Sequence, residues 1–560
     1  MRPVLRGTDT LTNKNRAFLS PLLDGQTSEG GLPGEPASAP ATWHGLAADP
    51  SRAAMYAFAF FLIAPLPWLI AYFLPPLNHD AAALLHFSQR WLAGERLYVD
   101  LIDVNPPLVF VLNLVPAAIA RITPLSAPFA LILCVLAWIT FGFLLSWRLL
   151  RSAPGPVSAI HRYIFPPLFL FLMIVYPGPE FGQREHLMVV AALPYLLLAQ
   201  ARMEGRETAW GLALLTALLA ALAFALKPHF LLIPLLVEAM VIGSQGLRRG
   251  LRDVVPRTLG LVFLVYGALV LLLTPAYLEV VVPLAMDKYL SLGGMGPWRV
   301  LVASQLSASA AVLLPLALAS LFVRRPLARL IAVTAIACAV IAVVQGKGWP
   351  YHVLPTESFV LLLGAALLCE FLETRVPAVH QRRSISMTMF LLAFMGASYY
   401  VAVLTRPTFS RQAAFEQSQA GQLLARFGKL AAEGPMLVLS PGIYPHFPVV
   451  NYASTKMAMR FMSLWPIQGS YEKCLANGRM FRDPAEMSRA EAFAYRAITE
   501  DFSRYRPKLV IVDKQPGIPK CAGKDFDYLA YFRRNPAFEA GWHRYRLLAE
   551  FDRYWIYVRP

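Results

Sequence analysis

Charge is scarce in this chain. Of its 560 residues only 15% are Asp, Glu, Lys or Arg, against about 25% in an average soluble protein. With 57% hydrophobic residues, an ordinary soluble domain is excluded. Acids are scarcer than bases, and the formal charge is +17. That sign alone could suggest nucleic acid. No basic face interleaved with aromatics is present, however, and much of the Arg lies in short loops between apolar runs, the pattern that orients membrane helices. Nucleic acid is therefore not an expected partner. No internal repeat is apparent. Cysteine is rare, at five. Cys134, Cys338 and Cys369 fall in apolar runs, where a lone Cys acts as a small hydrophobe. Cys474 and Cys521 lie in a polar region; outside the cytoplasm they can pair, and otherwise they are two thiols. The first 51 residues lack the layout of a cleaved signal and read as a disordered cytoplasmic tail.

Apolar runs of roughly 20 residues recur, each long enough to cross a bilayer as a helix. The first is expected over about Ala54–Leu74, with Arg52 inside. The run Leu108–Ile122 is short and contains Pro116, so it is expected to lie flat. With that choice about eleven crossings follow, and every Arg cluster falls on one side. The eleventh is expected over Met387–Leu404. From residue 405 the pattern turns soluble. Met436–Leu439, Lys508–Val512 and Tyr554–Val558 read as strands, with polar helical stretches such as Pro484–Arg504 between them. The expected architecture is a polytopic α-helical membrane module over 52–404, with a first external loop at 75–126, and a small extracytoplasmic α/β domain over 405–560.

The loop after the first run holds several acids, Asp80 in Asn78-His79-Asp80 and then Asp100 and Asp103, with Asn105 following before Pro106-Pro107. His79 or Asp80 can cap a surface helix that Gly94 ends. On the expected topology the outer face also receives Glu180, Arg184, Glu185, His186, Lys227, His229, Lys347, Tyr351 and His352. Acids and bases at one depth on different loops suggest a shared site. A carboxylate can take a proton from a hydroxyl, and a cation can hold a departing phosphate. Moving a sugar from a lipid phosphate to an acceptor needs both. Plainer readings stand beside this one. Asp80 can be only a cap, Asp103 a turn residue, and Arg184 with Glu185 an exposed ion pair. Lys227 can snorkel, and Tyr351 with His352 can anchor the interface.

The order of these features resembles the GT-C superfamily of integral-membrane glycosyltransferases. The likeness is strongest to the branch of protein O-mannosyltransferases and lipid A aminoarabinose transferases. It rests on Asp80, Gly94, Tyr98, Asp100 and Pro106-Pro107-Leu108, on Glu180 or better Glu185 as a second acid, on Lys227-Pro228, and on Tyr351–Pro355. The pattern departs from the family in His79, where relatives often carry an acid after the Asp, and in having Glu where many have Asp. The resemblance implies a bacterial inner-membrane protein with its N-terminus inside. It implies a polyprenyl-phosphate sugar donor and an envelope lipid, glycan or protein acceptor, with inversion. By it, Asp80 and Glu185 are the catalytic acids. His79, Asp103, Arg184, His186, Lys227, Lys347, Tyr351 and His352 bind substrate. A divalent metal stays open, since some members use one; no ligand spacing here decides it. Two other readings remain. A transporter or flippase of lipid-linked sugars would favour mid-membrane polar groups and paired broken helices. An O-antigen ligase-like enzyme would favour a large late loop, whereas here the charged loop comes first.

Overall fold

A computed structural model describes residues 63, 65–152, 157–375, 408–475 and 478–560. The expected tail at 1–51, most of the first crossing and the eleventh crossing lie outside the described residues. The chain opens with α1 (Leu66–Tyr72), the loop helix α2 (His79–Leu92) and α3 (Pro107–Ile122). Then come α4 (Ala127–Arg151), α5 (Val157–Leu170), α6 (Arg184–Met203), α7 (Trp210–Phe224), α8 (Leu232–Gln245) and α9 (Val254–Leu273). The helical part closes with α10 (Leu306–Ser320), α11 (Pro326–Gln345) and α12 (Pro350–Arg375).

Among the described residues six helical segments are long and apolar enough to cross a membrane, or seven if one bent pair counts as a single span. α3, residues Ile164–Val175 and α7 are apolar but shorter. Elements thus stand at nine of the expected crossings, from the second to the tenth. The eighth departs from expectation. It is two helices, Pro297–Ala303 and α10, bent by 79°. Ser304 explains the break: its backbone is extended, its hydroxyl donates to the Val300 carbonyl at 2.5 Å, and it accepts the Leu306 N–H at 3.1 Å. A side chain that takes backbone partners competes with the helix ladder.

α6 is the most enclosed span. Of its apolar window 89% is buried, against 17% for α9. It packs against α4, α7, α8, α11 and α12. Its apolar side chains therefore face other helices, while α9 turns Leu261, Leu264 and Leu272 outward, as a lipid-facing helix does.

The C-terminal region forms a four-stranded sheet of order β1-β2-β4-β3: β1 (Met436–Leu439), β2 (Leu509–Asp513), β3 (Arg546–Phe551) and β4 (Tyr554–Val558). β1 and β2 run parallel, and β4 is antiparallel to both its neighbours. The three strands expected from sequence are present within a residue. β3 was not foreseen, because its outer residues are exposed and lack an apolar alternation. α13 (Arg489–Tyr505) takes up most of the predicted helical stretch.

This region is not a detached appendage. Its apolar core is continuous with that of α2. Leu77 N–H donates to Tyr452 Oη at 2.8 Å, and the Met457 N–H donates to the buried His86 at 3.2 Å. Arg90 reaches the Met459 carbonyl at 2.7 Å and Glu95 at 2.6 Å. Asp100 pairs with Arg96 and Arg504. The first loop is thereby held against the sheet domain. The disulfide Cys474–Cys521 closes a 47-residue separation within that domain.

Candidate active site

The first turn of α2 sets the site. Three consecutive residues could cap it, and the structure gives the role to Asn78, correcting the expectation of His79 or Asp80. Asn78 Oδ1 accepts the N–H groups of Asp80 at 2.9 Å and Ala81 at 3.2 Å. Its Nδ2 donates across to the Pro179 carbonyl at 2.8 Å and to Glu180 at 3.4 Å. One amide thus caps α2 and ties the first loop to the second.

Asp80 is therefore free of the capping role. Its Oδ2 accepts from Gln183 at 3.1 Å and lies 3.7 Å from Arg184, while His79 stands 3.6 Å from Oδ1. Its side chain keeps 14% exposure. His79 is more open and meets Tyr444 edge-on.

The N-terminus of α6 supplies the opposing charges. Arg184 is buried; its Nη1 donates to Asn105 Oδ1 and its Nη2 to Gln183 Oε1 at 3.3 Å. Asn105 is itself aimed by Asp103, whose Oδ1 accepts both its N–H (2.9 Å) and its Nδ2 (2.6 Å). Burial pushes the Asp103 carboxyl above its usual range, and the charge of Asp80 adds to that. Asp103 thus works at second hand, through Asn105 and Arg184. Glu185 is 1% exposed and binds Lys227 Nζ at 2.5 Å through Oε1; its Oε2 has no partner among the described residues. The plainer readings, an exposed Arg184–Glu185 pair and a snorkelling Lys227, fail here, since all three groups are buried. Lys227 follows α7 and leaves the helix in an extended conformation just before Pro228.

α12 brings a third element. The Tyr351 ring meets two cations, with Arg184 5.9 Å and Lys227 5.3 Å from its centre. His352 packs edge-on to it at 4.4 Å and leaves Nδ1 unpartnered. His229 is half-buried with Nε2 unpartnered. Glu180 sits beside Asn78, and burial with the charges of Asp80 and Glu185 pushes its carboxyl up to about 7.

Two expected members do not offer a free group. His186 accepts the Gly182 N–H at Nδ1 (3.1 Å), so Nε2 carries the proton to the Met173 carbonyl at 2.8 Å. Lys347 donates to the carbonyls of Tyr289 (3.0 Å) and Leu292, and lies over the rings of Tyr289 and Trp349. Burial draws its ammonium below the usual lysine range. It fastens the loop before α10. Sequence reasoning passed over three neutral amides, Asn78, Asn105 and Gln183, which organise the charges. The signal for Asn78 was available, since Asn is among the strongest N-caps.

The arrangement joins a partly open carboxylate, Asp80, to a pair of enclosed cations on the neighbouring loops. It can accept a proton on one side and hold an anion on the other. Among the described residues no three His, Cys, Asp or Glu side chains converge to hold a metal ion.

No family model matches the chain, and no curated protein matches it. Solved structures do, two of them of one protein. One is ArnT from Cupriavidus metallidurans bound to undecaprenyl phosphate, at TM-score 0.55 and 12% identity, over 90% of this chain and 98% of that one. The other is the same protein in the apo state, at TM-score 0.52 and 14% identity, over 91% and 98%. At these identities the likeness is one of fold. The resemblance read from the sequence is thus met by structures of ArnT.

Proposed function

We propose that this protein is a GT-C membrane glycosyltransferase that moves a monosaccharide from a polyprenyl-phosphate donor to an envelope lipid, glycan or protein. The observation that carries the reading is Asp80: the neighbouring Asn78 relieves it of the cap, and it faces Arg184 with an open side. The ArnT structure with bound undecaprenyl phosphate supports the donor class.

In the proposed step the acceptor hydroxyl oxygen attacks the anomeric carbon, and the bond from that carbon to the phosphate oxygen breaks. Asp80 takes the hydroxyl proton. The electron pair leaves with the polyprenyl phosphate, whose growing charge Arg184 and Lys227 face from an enclosed setting. Attack opposite the leaving group inverts the configuration. Glu185 holds Lys227 in place. His79, Tyr351 and His352 line the approach; Asp103, His186 and Lys347 hold its walls.

The same reading places the site on the outer face of a bacterial inner membrane, with the N-terminus inside. The Cys474–Cys521 disulfide supports this side for the sheet domain, because such bonds persist in oxidising compartments.

The test is a glycan comparison. The gene is deleted and restored with wild type or Asp80→Asn, and envelope lipids, glycans and proteins are compared by mass spectrometry. Loss of one monosaccharide, restored by wild type alone, identifies sugar and acceptor together. Full restoration by Asp80→Asn would remove the proposed base.

A further inference from the structure

The far end of α6 carries a second constellation that the transfer reaction leaves unused. Arg202 lies 18 residues beyond Arg184 on the same helix, about 27 Å away at 1.5 Å per residue. There a cavity of about 720 Å³ opens between the end of α6, the start of α7 and the turn from α8 to α9. Its wall holds five guanidinium groups, those of Arg202, Arg206, Arg248, Arg249 and Arg252, against the carboxylates of Glu207 and Asp253.

Two of the five are already engaged. Arg202 is buried and makes a forked contact with Glu238 at 2.7 and 3.0 Å, with Asp253 3.1 Å from its Nε. Asp253 in turn caps α9. Arg206 pairs with Glu204 at 2.7 Å. These contacts make a rigid floor. Arg248, Arg249 and Arg252 have no side-chain hydrogen bond or ion pair among the described residues, and all three are exposed. They share one short helix, Leu247–Arg252, with Leu247 and Leu251, which are 66% and 50% exposed. Trp210 stands at the rim, 69% exposed. Leucine and tryptophan bared beside unpaired arginines suit the boundary between headgroups and acyl chains, and would be poorly placed in bulk water.

We propose that this cavity binds the phosphate headgroup of an anionic phospholipid, with Arg248, Arg249 and Arg252 around the phosphate and the acyl chains along Leu247, Leu251 and the outward leucines of α9. Bound there, the lipid would fasten the α8–α9 turn to the end of α6. The apolar rim argues for a lipid over a free anion, because a soluble phosphate would leave it uncovered. The proposal needs the membrane placement only and stands apart from the transfer reaction.

The test uses the full chain in discs of phosphatidylcholine, alone or mixed with phosphatidylglycerol, with native mass spectrometry to count retained lipid. Wild type should hold phosphatidylglycerol in preference to phosphatidylcholine. The triple variant Arg248→Gln, Arg249→Gln, Arg252→Gln should bind it on the order of 100-fold more weakly, about fivefold per guanidinium. The variant Arg148→Gln, Arg151→Gln, at the end of α4, removes basic charge elsewhere and should bind as wild type does. Three outcomes would overturn the proposal: no preference for the anionic lipid by wild type, equal loss in the α4 variant, or displacement of the retained phosphatidylglycerol by inorganic phosphate alone. None of them bears on whether Asp80 supports transfer.

Discussion

Capping and proton removal make opposite demands on one short segment, and two substitutions separate them. Asp80→Asn keeps the shape of the side chain and can still accept from Gln183, which donates at 3.1 Å. It loses the attraction to Arg184 at 3.7 Å. It also loses the repulsion that raises the carboxyls of Asp103 and Glu180. These terms oppose each other at a site with some solvent access, so the net stability change should stay within about 1 kcal/mol. Transfer should fall by about 10²–10⁴-fold, the usual contribution of a positioned base, or about 3–5 kcal/mol of barrier. Asn78→Ala should do the reverse in stability. It removes a cap of about 1 kcal/mol, together with the links to Pro179, Glu180 and Gln183. At about 0.5–1 kcal/mol each, the sum is about 2–4 kcal/mol. The assay pairs thermal unfolding of purified, inserted protein with initial rates of transfer to the acceptor identified by mass spectrometry. The reasoning fails if Asp80→Asn retains activity within about tenfold of wild type, or if Asp80→Asn destabilises the fold while Asn78→Ala leaves it unchanged.

Three further outcomes follow from the geometry. Lys227→Met leaves the Glu185 carboxylate enclosed without its partner and should cost about 3–5 kcal/mol, whereas Lys227→Met with Glu185→Gln should recover most of it; a double variant as unstable as the single one, by thermal unfolding, contradicts a buried pair. Glu180 is held up to about 7 from an ordinary 4.5. The folded chain therefore keeps a proton that the unfolded chain releases, and stability is lost as pH rises from about 4.5 through about 7; discounted for partial exposure the loss is about 1–3 kcal/mol. Glu180→Gln should flatten that slope, and an unchanged pH dependence of unfolding would refute it. Replacing Cys474 and Cys521 by Ser should lower the stability of the sheet domain by about 4 kcal/mol for a loop of this length. Resistance of the domain to proteolysis equal to that of wild type would speak against the bridge.

Hydrophobic run length and the placement of arginine are properties of the chain read locally, and membrane insertion responds to them locally. That is why the helical architecture, the three apolar strands and the order of the charged loops were legible before any coordinate. The same holds for Asp80, Arg184, Glu185, Lys227, Tyr351 and His352, because an ionisable group at the end of an apolar run has few reasons to be there. What local pattern leaves open is direction. Asn78, His79 and Asp80 are adjacent and each can cap a helix; only the fold decides that Asn78 does so and that Asp80 turns to Gln183 and Arg184. His186 and Lys347 are the same residue types at the same depth as the cluster, yet their polar atoms point to the carbonyls of Met173, Tyr289 and Leu292. The bend at Ser304 and the union of the first loop with the sheet domain also arise from contacts far apart in sequence, or from a hydroxyl competing with its own helix. Composition and order along the chain determined the membrane, the elements and the set of charges. Tertiary structure decided which charges meet, because a hydrogen bond acts over about 3 Å and in one direction, while hydrophobic patterning acts over whole helices.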